Sequence, residues 1–532
     1  MTYTSDERQV RIQKRQELKD MGIVPYVQKR HKESNIAELI EKANAGNLRS
    51  IEEILQAPQK NSVTAGRLIL KRISGKLSFA QIIDETAQIQ LMFEHQWTKL
   101  LTQPTIDPST IMGESTKSFD YWFLDKYIDA GDIIGVKWEL FHTHKGELTI
   151  FVSEYQLLSK ALRPLGDKFH GLGENTENAY RQRYLDMIHN REALDRMKLR
   201  FQFMKVIRDF YHENGFLEIE TPALGNSASG AAAAPFVTHH NDFDIDMYLR
   251  ISPETNLKKA TVGMLEKVFE VAKDFRNEGS DPSHHQEFTM IEHYAAYRNH
   301  EDNMAFTEQM FDYVFSKLPQ LKKEINVPDK EGNMRTVNFT TPWPRIDYVE
   351  QILKDSGIDV SQYEAKDEDT LRADILAKGH KREGIEKQAT ATMIDYLYKK
   401  VTRPKIGGPA FIVNYPKTMQ PLARVSDRDP KIVEQRQLLI NGREVIKAYC
   451  ELVDPIQQQL NFDEQASAAA AGDEETTSGD PDFVLAMEYG MPPQSWRGMG
   501  IDRIFALLTE QSNIRDVILF PMMKPENKEI QE

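Results

Sequence analysis

The chain has 532 residues, a formal net charge of −14, 40% hydrophobic and 28% charged residues, and one cysteine, Cys450. This length predicts two or more domains, and no stretch approaches the about 20 apolar residues that a membrane helix needs. The first 32 residues lack the apolar core of a signal peptide, and a single cysteine excludes a disulfide framework. We therefore expect a cytoplasmic globular protein.

The N-terminal residues 1–60 are predicted to form a basic helical extension, with amphipathic helices over 6–20 and 34–55. A basic arm of lysine and arginine side chains, opposed only by Glu17 and Asp20, runs along its first half. Its members are Arg8, Arg11, Lys14, Arg15, Lys19, Lys29, Arg30 and Lys32. The arm is either a solvated helix face or a surface that contacts a nucleic-acid backbone.

Residues 61–160 follow a different pattern, with five short, partly alternating segments separated by turn residues. We predict strands in SVTAGRLILKRIS, KLSFAQIID, AQIQLMFEHQ, DIIGVKWELF and ELTIFVSEYQLL. Five strands in a segment of this length indicate a small β-barrel, and an OB-fold is the candidate that binds nucleic acids.

A predicted linker, residues 161–190, leads to a mixed α/β region over 191–532. This region opens with a long helix from Arg191 to about Asn214, which Gly215 ends. We expect a charged, largely helical insertion at about 318–400. The acidic, low-complexity residues 465–482 predict a surface loop.

The segment GFLEIETPALGNSASGAAAAPF, which starts at Gly215, predicts a short strand over 216–220 that Pro222 ends or bends. Its small residues at 229–234 leave room for the backbone to approach a ligand closely. A flexible loop is the alternative interpretation.

Residues 268–294 predict a hairpin with a long loop of Gly, Asp, Pro and Ser. Alternation places Arg276 and Glu278 on one face of the outgoing strand. An arginine there can bind a phosphate with two N–H groups, and the glutamate can accept from an amine. Phe288 offers a flat surface for a base. A surface ladder of ion pairs is the alternative.

Two later segments add carboxylates and a helix start. Glu444 and Glu451 lie seven residues apart, so in an extended, bulged strand they could approach one magnesium site. The sequence GMGIDR leads from Gly498 and Gly500 into a helix with Arg503 in its first turn. A buried helix behind a tight turn is the alternative for this segment.

In chain order, these segments resemble the three signature motifs of class II aminoacyl-tRNA synthetases: GFLEIETP, FRNEG followed by HHQEFTMIE, and GMGIDR. Within that class the lysyl-tRNA synthetases are the most similar, and the resemblance covers nearly the whole chain. It is carried further by RQRYLDMI, PFVTHHNDFDIDMYLRISPE, TMIEHY, NYPKTMQPLAR and IRDVILFP.

The resemblance implies an α+β protein with an N-terminal OB-fold barrel and a class II synthetase catalytic domain, an antiparallel sheet flanked by helices. It further implies a homodimer that associates through motif 1. The implied reaction attaches L-lysine to tRNA(Lys) through a lysyl-adenylate, with ATP as substrate and Mg²⁺ as cofactor.

The resemblance assigns ATP contacts to residues of these motifs: Arg276, Glu278, His284, Phe288, Glu444 and Arg503. Arg276 would bind the α-phosphate, Glu278 the adenine amine and Phe288 the adenine ring. Arg276, Glu278 and Arg503 are the implied catalytic residues. Glu444 and Glu451 are the implied metal ligands.

The resemblance also assigns a lysine pocket and an anticodon-binding face. Gly230 and Glu254 would receive the α-amino group. The ε-ammonium would be surrounded by Glu292, Tyr294 and Glu451, since a buried ammonium needs charged and hydrogen-bonded partners. The lysine-binding residues are therefore Gly230, Glu254, Glu292, Tyr294, Tyr449 and Glu451, and the anticodon-binding residues are Arg72, Phe79 and Gln90.

Some positions depart from the family pattern. Gln437 stands where a carboxylate is common, so one magnesium contact is expected to be lost. Lys447 replaces a usual asparagine, and its charge would repel substrate lysine unless it points away or pairs. Ser283 and Ala234 each replace an arginine, and His285 and Gln286 replace Asn-Pro.

Two rival functions stay open at this point. An aspartyl- or asparaginyl-tRNA synthetase shares the architecture, but Glu292 and Glu451 favour a cationic substrate. The other is a non-catalytic relative that binds tRNA, and it would not need the four residues Arg276, Glu278, Glu444 and Arg503 together.

Overall fold

The computed structural model describes residues 5–526 except 58–61, 113–116, 166–175, 228, 232, 330, 364–366, 381–384, 418–423 and 471–478. The chain divides into two compact units, Met1–Leu194 and Asp195–Glu532. Among the described residues, no helix is long and apolar enough to cross a membrane.

The first unit is built around a closed barrel. Its sheet has the order β3-β2-β1-β5-β6-β4, and β3 also pairs with β6, which closes the ring. The strands are β1 (Ser62–Ser74), β2 (Leu77–Ile83), β3 (Gln88–Glu94), β4 (Lys99–Leu100), β5 (Ile133–His142) and β6 (Leu148–Ser159). All five predicted strands are therefore confirmed, and the sheet closes as an OB-fold does.

Alternation along the strands explains the barrel. Ser78, Ala80 and Ile82 of β2 are buried and point inward, while Phe79 and Gln81 lie on the other face. The helices of this unit are α1 (Ser5–Asp20), α2 (Ile36–Ala45), α3 (Ile51–Gln56), α4 (Ser109–Met112), α5 (Phe119–Tyr127), α6 (Thr176–Arg181) and α7 (Arg183–His189).

The N-terminal extension packs on the barrel. Leu18 of α1, together with Met21 and Ile23, is at most 2% exposed and belongs to the core that the barrel strands form. Asn35 and Ser50 begin α2 and α3 with capping boxes, which satisfy backbone N–H groups at the helix starts. The extension therefore shares the hydrophobic core of the barrel.

The second unit is organised by an eight-stranded sheet with the order β15-β16-β19-β20-β21-β12-β11-β7. Most of its pairings are antiparallel, and β15–β16 and β11–β7 are parallel. Its strands are β7 (Leu217–Glu218), β11 (Lys267–Phe275), β12 (Glu287–Ala296), β15 (Arg345–Asp347), β16 (Ala410–Val413), β19 (Gln435–Ile440), β20 (Arg443–Cys450) and β21 (Gln494–Gly500).

Smaller strand pairs and helices surround this sheet. The additional strands are β8 (Leu224–Gly225), β9 (Val237–His240), β10 (Ile245–Leu249), β13 (Glu324–Pro328), β14 (Met334–Asn338), β17 (Tyr415–Pro416) and β18 (Ile432–Val433). The helices are α8 (Arg191–Glu213), α9 (Glu254–Val262), α10 (His300–Lys317), α11 (Tyr348–Ser356), α12 (Glu368–Ala377), α13 (Thr390–Tyr396), α14 (Pro455–Ala470), α15 (Pro481–Glu488) and α16 (Ile501–Leu508). Short 3-10 or π segments lie at Val360–Gln362, Ile385–Lys387, Leu397–Thr402, Arg403–Lys405 and Ile514–Val517.

One face of the sheet packs against α8, α10 and α16 in the large core of this unit. Phe203, Tyr211, Phe311, Ile291 and Phe505 are buried there. The opposite face is left for the cavity described below. The long predicted helix from Arg191 is confirmed as α8.

Two predictions in this unit need refinement. The insertion at 318–400 has more helix than strand in its described part, but it also contains strands that were not predicted, since β13 and β14 form a hairpin and β15 joins the main sheet. Ile325 and Val337 of that hairpin pack in the large core, and their alternation was hidden among charged residues. The predicted loop at 465–482 begins as helix, because α14 continues to Ala470 through alanines, which favour helix. Residues 471–478 lie outside the described residues.

Candidate active site

A cavity of about 430 Å³ lies on the free face of the eight-stranded sheet. The predicted site residues that line it are Gly230, Glu254, Arg276, Glu278, His284, Phe288, Glu292, Glu444, Tyr449 and Arg503. The structure therefore gathers residues that are up to 273 positions apart in sequence (Gly230 to Arg503) around one space. Tyr294 and Glu451 do not line it.

The register of three adjacent strands builds the floor of the cavity. Glu292 on β12 pairs with Gly498 on β21, which pairs with Lys447 on β20. In an antiparallel sheet, directly paired residues share a face. Because Gly498 has no side chain, the row leaves space between Glu292 and Lys447, and the indole of Trp496 extends into part of it.

The neighbouring row is filled with aromatic rings. Tyr294 on β12 pairs with Trp496 on β21, which pairs with Tyr449 on β20. The rings of Trp496 and Tyr449 have centroids 4.5 Å apart. This row therefore bounds the open space on one side.

One end of the cavity is cationic. The guanidinium of Arg276 lies 5.2 Å from the centroid of the Phe288 ring, a cation–π contact. Its Nε is buried and has no hydrogen-bond partner in the described part of the chain. Such an unpaired donor is suited to an anion that enters the cavity.

The backbone element that carries Arg276 differs from the prediction. Strand β11 ends at Phe275, so Arg276 and Glu278 lie in the loop of the hairpin and not on one strand face. The loop is held by Arg276 N–H donating to Gln286 and by Asn277 N–H donating to Ala234, at 2.8 Å each. Both side chains still line the cavity.

Arg503 is fixed beside this end by backbone carbonyls. Its Nη1 donates to Glu444 O at 2.8 Å and its Nη2 to Ser283 O at 3.4 Å. Burial lowers the pKa of Arg503 from its ordinary value, although nearby Glu444 acts in the opposite direction. An arginine remains protonated under such a shift, so this group is a fixed positive charge.

Asp502 connects the helix start of α16 to the hairpin. Its Oδ2 accepts the backbone N–H of Thr289 at 2.8 Å, and its Oδ1 lies 2.6 Å from Arg200 Nη2 on α8. Sequence reasoning missed this buried ion pair. The position of Asp502, directly before the predicted Arg503, was the feature of the sequence that could have indicated it.

His284 lies at the exposed edge of the cavity. Its Nδ1 is 2.8 Å from Asp281 Oδ2 and 3.0 Å from Ser283 Oγ. The imidazole is therefore held by the hairpin loop, with one ring nitrogen remaining for a ligand.

Glu444 lines the cationic end, and its carboxylate has no hydrogen bond or ion pair within the described ranges. The bulge in the β19–β20 pairing lies between Leu438 and Leu439, next to Glu444. It brings this residue to the same face as Lys447 and Tyr449, as the predicted bulged strand requires.

The prediction that Glu444 and Glu451 share one ion is wrong. Glu444 is the second residue of β20 and Glu451 directly follows its last residue, so seven residues at about 3.3 Å each separate them by roughly 20 Å. Gln437 also faces away, since its Oε1 accepts from Tyr398 and Tyr415 at 2.9 and 2.6 Å. A cation at this end would therefore have Glu444 as its carboxylate ligand.

The other end of the cavity is acidic, with Glu254 and Glu292 in its lining. Glu292 accepts from Ser252 Oγ at 2.9 Å and from Trp496 Nε1 at 2.7 Å. Burial, and then the charge of Glu254, raise the pKa of Glu292 to about 7. Because two donors hold it, Glu292 has a defined orientation towards the cavity.

Gly230 approaches Glu254 so closely that no side chain fits. Its φ is +92°, and an added Cβ would lie 3.0 Å from the Cβ of Glu254 and 3.3 Å from that of Ser252. Glycine is therefore required by both conformation and space. This confirms close backbone approach beside Glu254.

Tyr294 and Glu451 lie next to this end but outside the cavity lining, at 0% and 3% exposure. Lys258, which was not predicted, lies 2.6 Å from both Glu254 Oε1 and Glu451 Oε2. Burial alone would lower the pKa of Lys258, but the two carboxylates raise it overall. Glu254 and Lys258 lie four residues apart on one helix, and this spacing could have indicated the ion pair between them.

Lys447 lines the cavity and forms no ion pair within the described residues. Lys447 therefore neither points away from the cavity nor pairs with a carboxylate, the two arrangements that were expected to remove its repulsion of substrate lysine.

The predicted anticodon-binding residues share the outer face of the barrel. Arg72 on β1 pairs directly with Phe79 on β2, and Gln81 on β2 pairs with Gln90 on β3. Arg72 is exposed and Phe79 half-buried. Gln90 Nε2 donates to Thr149 Oγ1 at 3.0 Å. A cation, a ring and an amide are thus adjacent on one surface.

The basic arm is partly used inside its own unit. Arg11 is buried and donates to Ala130 O at 2.9 Å, while Lys14 pairs with Asp129 at 2.8 Å and Lys32 with Asp84 at 2.6 Å. The arm also has exposed members: Arg8, Lys19 and Lys29.

The chain is similar to known proteins over nearly its whole length. The family model for class II tRNA synthetases (D, K and N) matches residues 175–524. The lysine–tRNA ligase of Thermotoga maritima is 39% identical over 530 residues, 99% of this chain and 97% of that protein. The one from Campylobacter jejuni is 40% identical over 525 residues, 98% of each chain. The one from Aquifex aeolicus is 42% identical over 465 residues, 87% of this chain and 73% of that protein. The chain therefore belongs to the class II tRNA synthetases of the D, K and N type, and among them to the lysine–tRNA ligase family.

Proposed function

We propose that this protein, in the cytoplasm, attaches L-lysine to tRNA(Lys) through a lysyl-adenylate, consuming ATP and releasing AMP and pyrophosphate. The observation that carries this proposal is a single cavity with oppositely charged ends. Arg276 and Arg503 lie at one end, and Glu254 and Glu292 at the other. The first pair suits a triphosphate, and the second a cationic amino acid.

The cationic end would bind ATP. Phe288 offers its ring to adenine beside Arg276, Glu278 can accept from the adenine amine, and His284 lies at the edge where the phosphates would enter. The unpaired Nε of Arg276 supports a role for this residue at the α-phosphate. Arg503, held by two carbonyls, adds a positive charge that needs no rearrangement.

In the first step, a carboxylate oxygen of lysine would attack the α-phosphorus in line. The bond from phosphorus to the bridging oxygen of pyrophosphate breaks as the new bond forms. Arg276 offsets the charge that develops on the phosphoryl oxygens, so positioning and electrostatics provide the catalysis.

Glu444 would hold magnesium at this end. Its free carboxylate in the cavity fits a cation that takes one or two carboxylates and completes its shell with phosphate oxygens and water. Bound there, magnesium would neutralise phosphate charge. Glu451 is not a candidate ligand, for the distance reason given above.

The acidic end would bind lysine. Gly230 and Glu254 lie where the α-amino group would be received, and Glu292 can accept the ε-ammonium. Tyr449 closes the side of this space against Trp496. The hydroxyl of Tyr294 and Oε1 of Glu451 are buried without hydrogen-bond partners in the described part of the chain. Neither residue lines the cavity.

In the second step, the terminal 3′-hydroxyl of tRNA would attack the adenylate carbonyl. AMP leaves, and the hydroxyl loses its proton. On the barrel, Phe79 can stack on an anticodon base while Arg72 and Gln90 contact its edge or backbone.

We further propose a homodimer formed through motif 1. Large apolar side chains within and around this motif, between residues 201 and 245, are exposed, which is costly unless another surface covers them. They are Phe201 (53%), Leu217 (51%), Val237 (58%), Phe243 (66%) and Ile245 (40%). Sedimentation equilibrium should give twice the chain mass, and Leu217→Asp should shift it towards the monomer. A monomeric wild-type chain would contradict this proposal.

The test of the activity is amino-acid-dependent pyrophosphate exchange with ATP and magnesium, for each of the twenty amino acids. Exchange with lysine alone is expected. Lys447 in the cavity lining favours the second candidate, an aspartate or asparagine enzyme, and exchange with either of those amino acids would select it. No exchange with any amino acid, from folded protein that binds tRNA, would leave a non-catalytic tRNA-binding protein.

A further inference from the structure

The acidic end of the cavity is closed by the side chain of Trp496. This residue is 7% exposed, lines the cavity and packs against the ring of Tyr449 in a tilted arrangement. It belongs to a small apolar cluster with Leu257, Val268 and Tyr294. The indole is therefore supported from behind and forms a wall.

The indole of Trp496 occupies space beside Gly498, which has no side chain. An added Cβ on Gly498 would lie 2.6 Å from Cζ2 of Trp496. The indole thus extends across the position of residue 498, within the row that carries Glu292.

The same indole fixes the carboxylate that faces the cavity. Trp496 Nε1 donates to Glu292 Oε2 at 2.7 Å, and Ser252 Oγ donates to Glu292 Oε1 at 2.9 Å. A hydrogen bond to an ionised carboxylate is stronger than one between neutral groups and stabilises the charged form. Glu292 is therefore oriented by the wall itself.

The carboxylate of Glu451, on the far side of Trp496 from the cavity, is already paired with a lysine. Glu451 is 3% exposed, does not line the cavity and lies 2.6 Å from Lys258 Nζ. Lys258 also contacts Glu254 at 2.6 Å and lies 5.4 Å from the centroid of the Phe483 ring. A substrate ammonium that stops at the wall would meet Glu292 and not Glu451.

We propose that Trp496 is a specificity-determining residue, which sets the length of side chain that the cavity accepts and positions Glu292 as the carboxylate that reads its terminal ammonium. This inference rests on the proposed function and deepens it. The ligand class is an amino acid with a terminal ammonium no longer than that of lysine.

The experiment compares lysine with L-homolysine, one methylene longer, in pyrophosphate exchange by the full-length protein. Wild-type protein should prefer lysine, since one methylene in a fitted pocket is worth roughly 10- to 200-fold in kcat/KM. Trp496→Ala removes the wall, so its homolysine-to-lysine ratio of kcat/KM should rise at least about tenfold.

Trp496→Phe separates the two roles, because it keeps a ring but removes the N–H donor. Its homolysine-to-lysine ratio should stay near that of the wild type. Its kcat/KM for lysine should fall roughly tenfold, with the inflection of the pH profile moved upward as Glu292 loses a donor. Trp97→Ala, at a 41% exposed tryptophan of the other unit, is the matched control and should change neither quantity.

The outcomes are distinct. Equal losses for lysine and homolysine in Trp496→Ala, or an unchanged pH profile in Trp496→Phe with unchanged thermal melting, would make Trp496 merely structural and overturn the inference. Wild-type protein that uses homolysine as well as lysine would also overturn it. A wild-type protein that activates no amino acid would overturn the proposed function, and this inference with it.

Discussion

Lys258 lies with its ammonium 2.6 Å from Oε2 of Glu451, and both side chains are almost completely buried, at 6% and 2% exposure. A buried ion pair of this kind adds little stability over apolar residues of the same size, but breaking it by removing one partner is costly. Lys258 also holds Glu254, so the pair connects the interior of the unit to the cavity lining.

Lys258→Met should therefore lower the free energy of unfolding by about 3–5 kcal/mol, because it leaves Glu451 buried without its cation. Equilibrium urea unfolding measures this. Lys259→Met is the matched control, since Lys259 is 29% exposed and 3.5 Å from Asp480, and should cost less than about 1 kcal/mol. Equal effects of the two substitutions would contradict the role of the pair.

The ionisation of Glu292 should control lysine activation. Burial raises its pKa to about 7, so the charged form that attracts an ammonium predominates only above that pH. We expect kcat/KM for lysine in pyrophosphate exchange to rise about tenfold per pH unit below pH 7 and to level off above it.

Glu292→Gln provides the control for this pH dependence. It should lower kcat/KM for lysine strongly and remove the rise between pH 6 and 8, because no carboxylate remains to titrate at that position. A pH profile in Glu292→Gln that retains the wild-type rise would assign the titration to another group.

Local sequence patterns were sufficient for the barrel. Strict alternation in residues such as Ser78, Phe79 and Ala80 marks one buried and one outward face, and turn residues separate the strands. The hairpin β13–β14 shows the same burial alternation over Glu324–Pro328. Surrounding charges outweighed that pattern, so the hairpin was missed within the insertion that was predicted to be largely helical.

The site could be predicted where a motif carries the chemistry. Arg276, Phe288 and Arg503 were found by their motifs, and they line one cavity. Trp496 and Glu292, in contrast, are 204 positions apart and become neighbours only through the pairing of β12 and β21. No local pattern encodes that register, so the wall at the acidic end could not be predicted.

Spacing also misled the prediction at Glu444 and Glu451. The bulge beside Glu444 brings this residue to the same face as Lys447 and Tyr449, as expected. A shared face does not shorten a strand, however, and extended residues add about 3.3 Å each. Position along the strand therefore places Glu444 at the cationic end of the cavity and Glu451 beside Lys258.

Lys447 should weaken lysine binding. It lines the cavity in the same cross-strand row as Glu292, with Gly498 between them, and no ion pair within the described residues neutralises it. Lys447→Met should lower KM for lysine severalfold, because it removes a like charge facing the substrate. Lys354→Met, at an exposed position outside the cavity, is the control and should leave KM unchanged. An increased KM in Lys447→Met would instead indicate that Lys447 contacts the substrate carboxylate or a phosphate.

The exposed members of the basic arm should contribute to tRNA binding. Removing residues 1–32 would also remove Leu18, Met21 and Ile23 from the barrel core, so charge reversal is the sharper test. Arg8, Lys19 and Lys29 are exposed, and Arg8→Glu, Lys19→Glu and Lys29→Glu can be combined without touching Arg11, Lys14 or Lys32. Each lost phosphate contact should reduce the slope of log K against log salt by about 0.7–0.9.

The combined variant should therefore bind tRNA more weakly at low salt and with a shallower salt dependence, while its lysine-dependent pyrophosphate exchange stays unchanged. The charge-matched control combines Lys322→Glu, Lys354→Glu and Lys431→Glu, all at exposed positions of the other unit. Both variants carry the same net charge, so a difference between them reports local contacts and not the overall field. If the two variants have the same affinity and the same slope, the arm is a solvated helix face that serves only to cover the barrel.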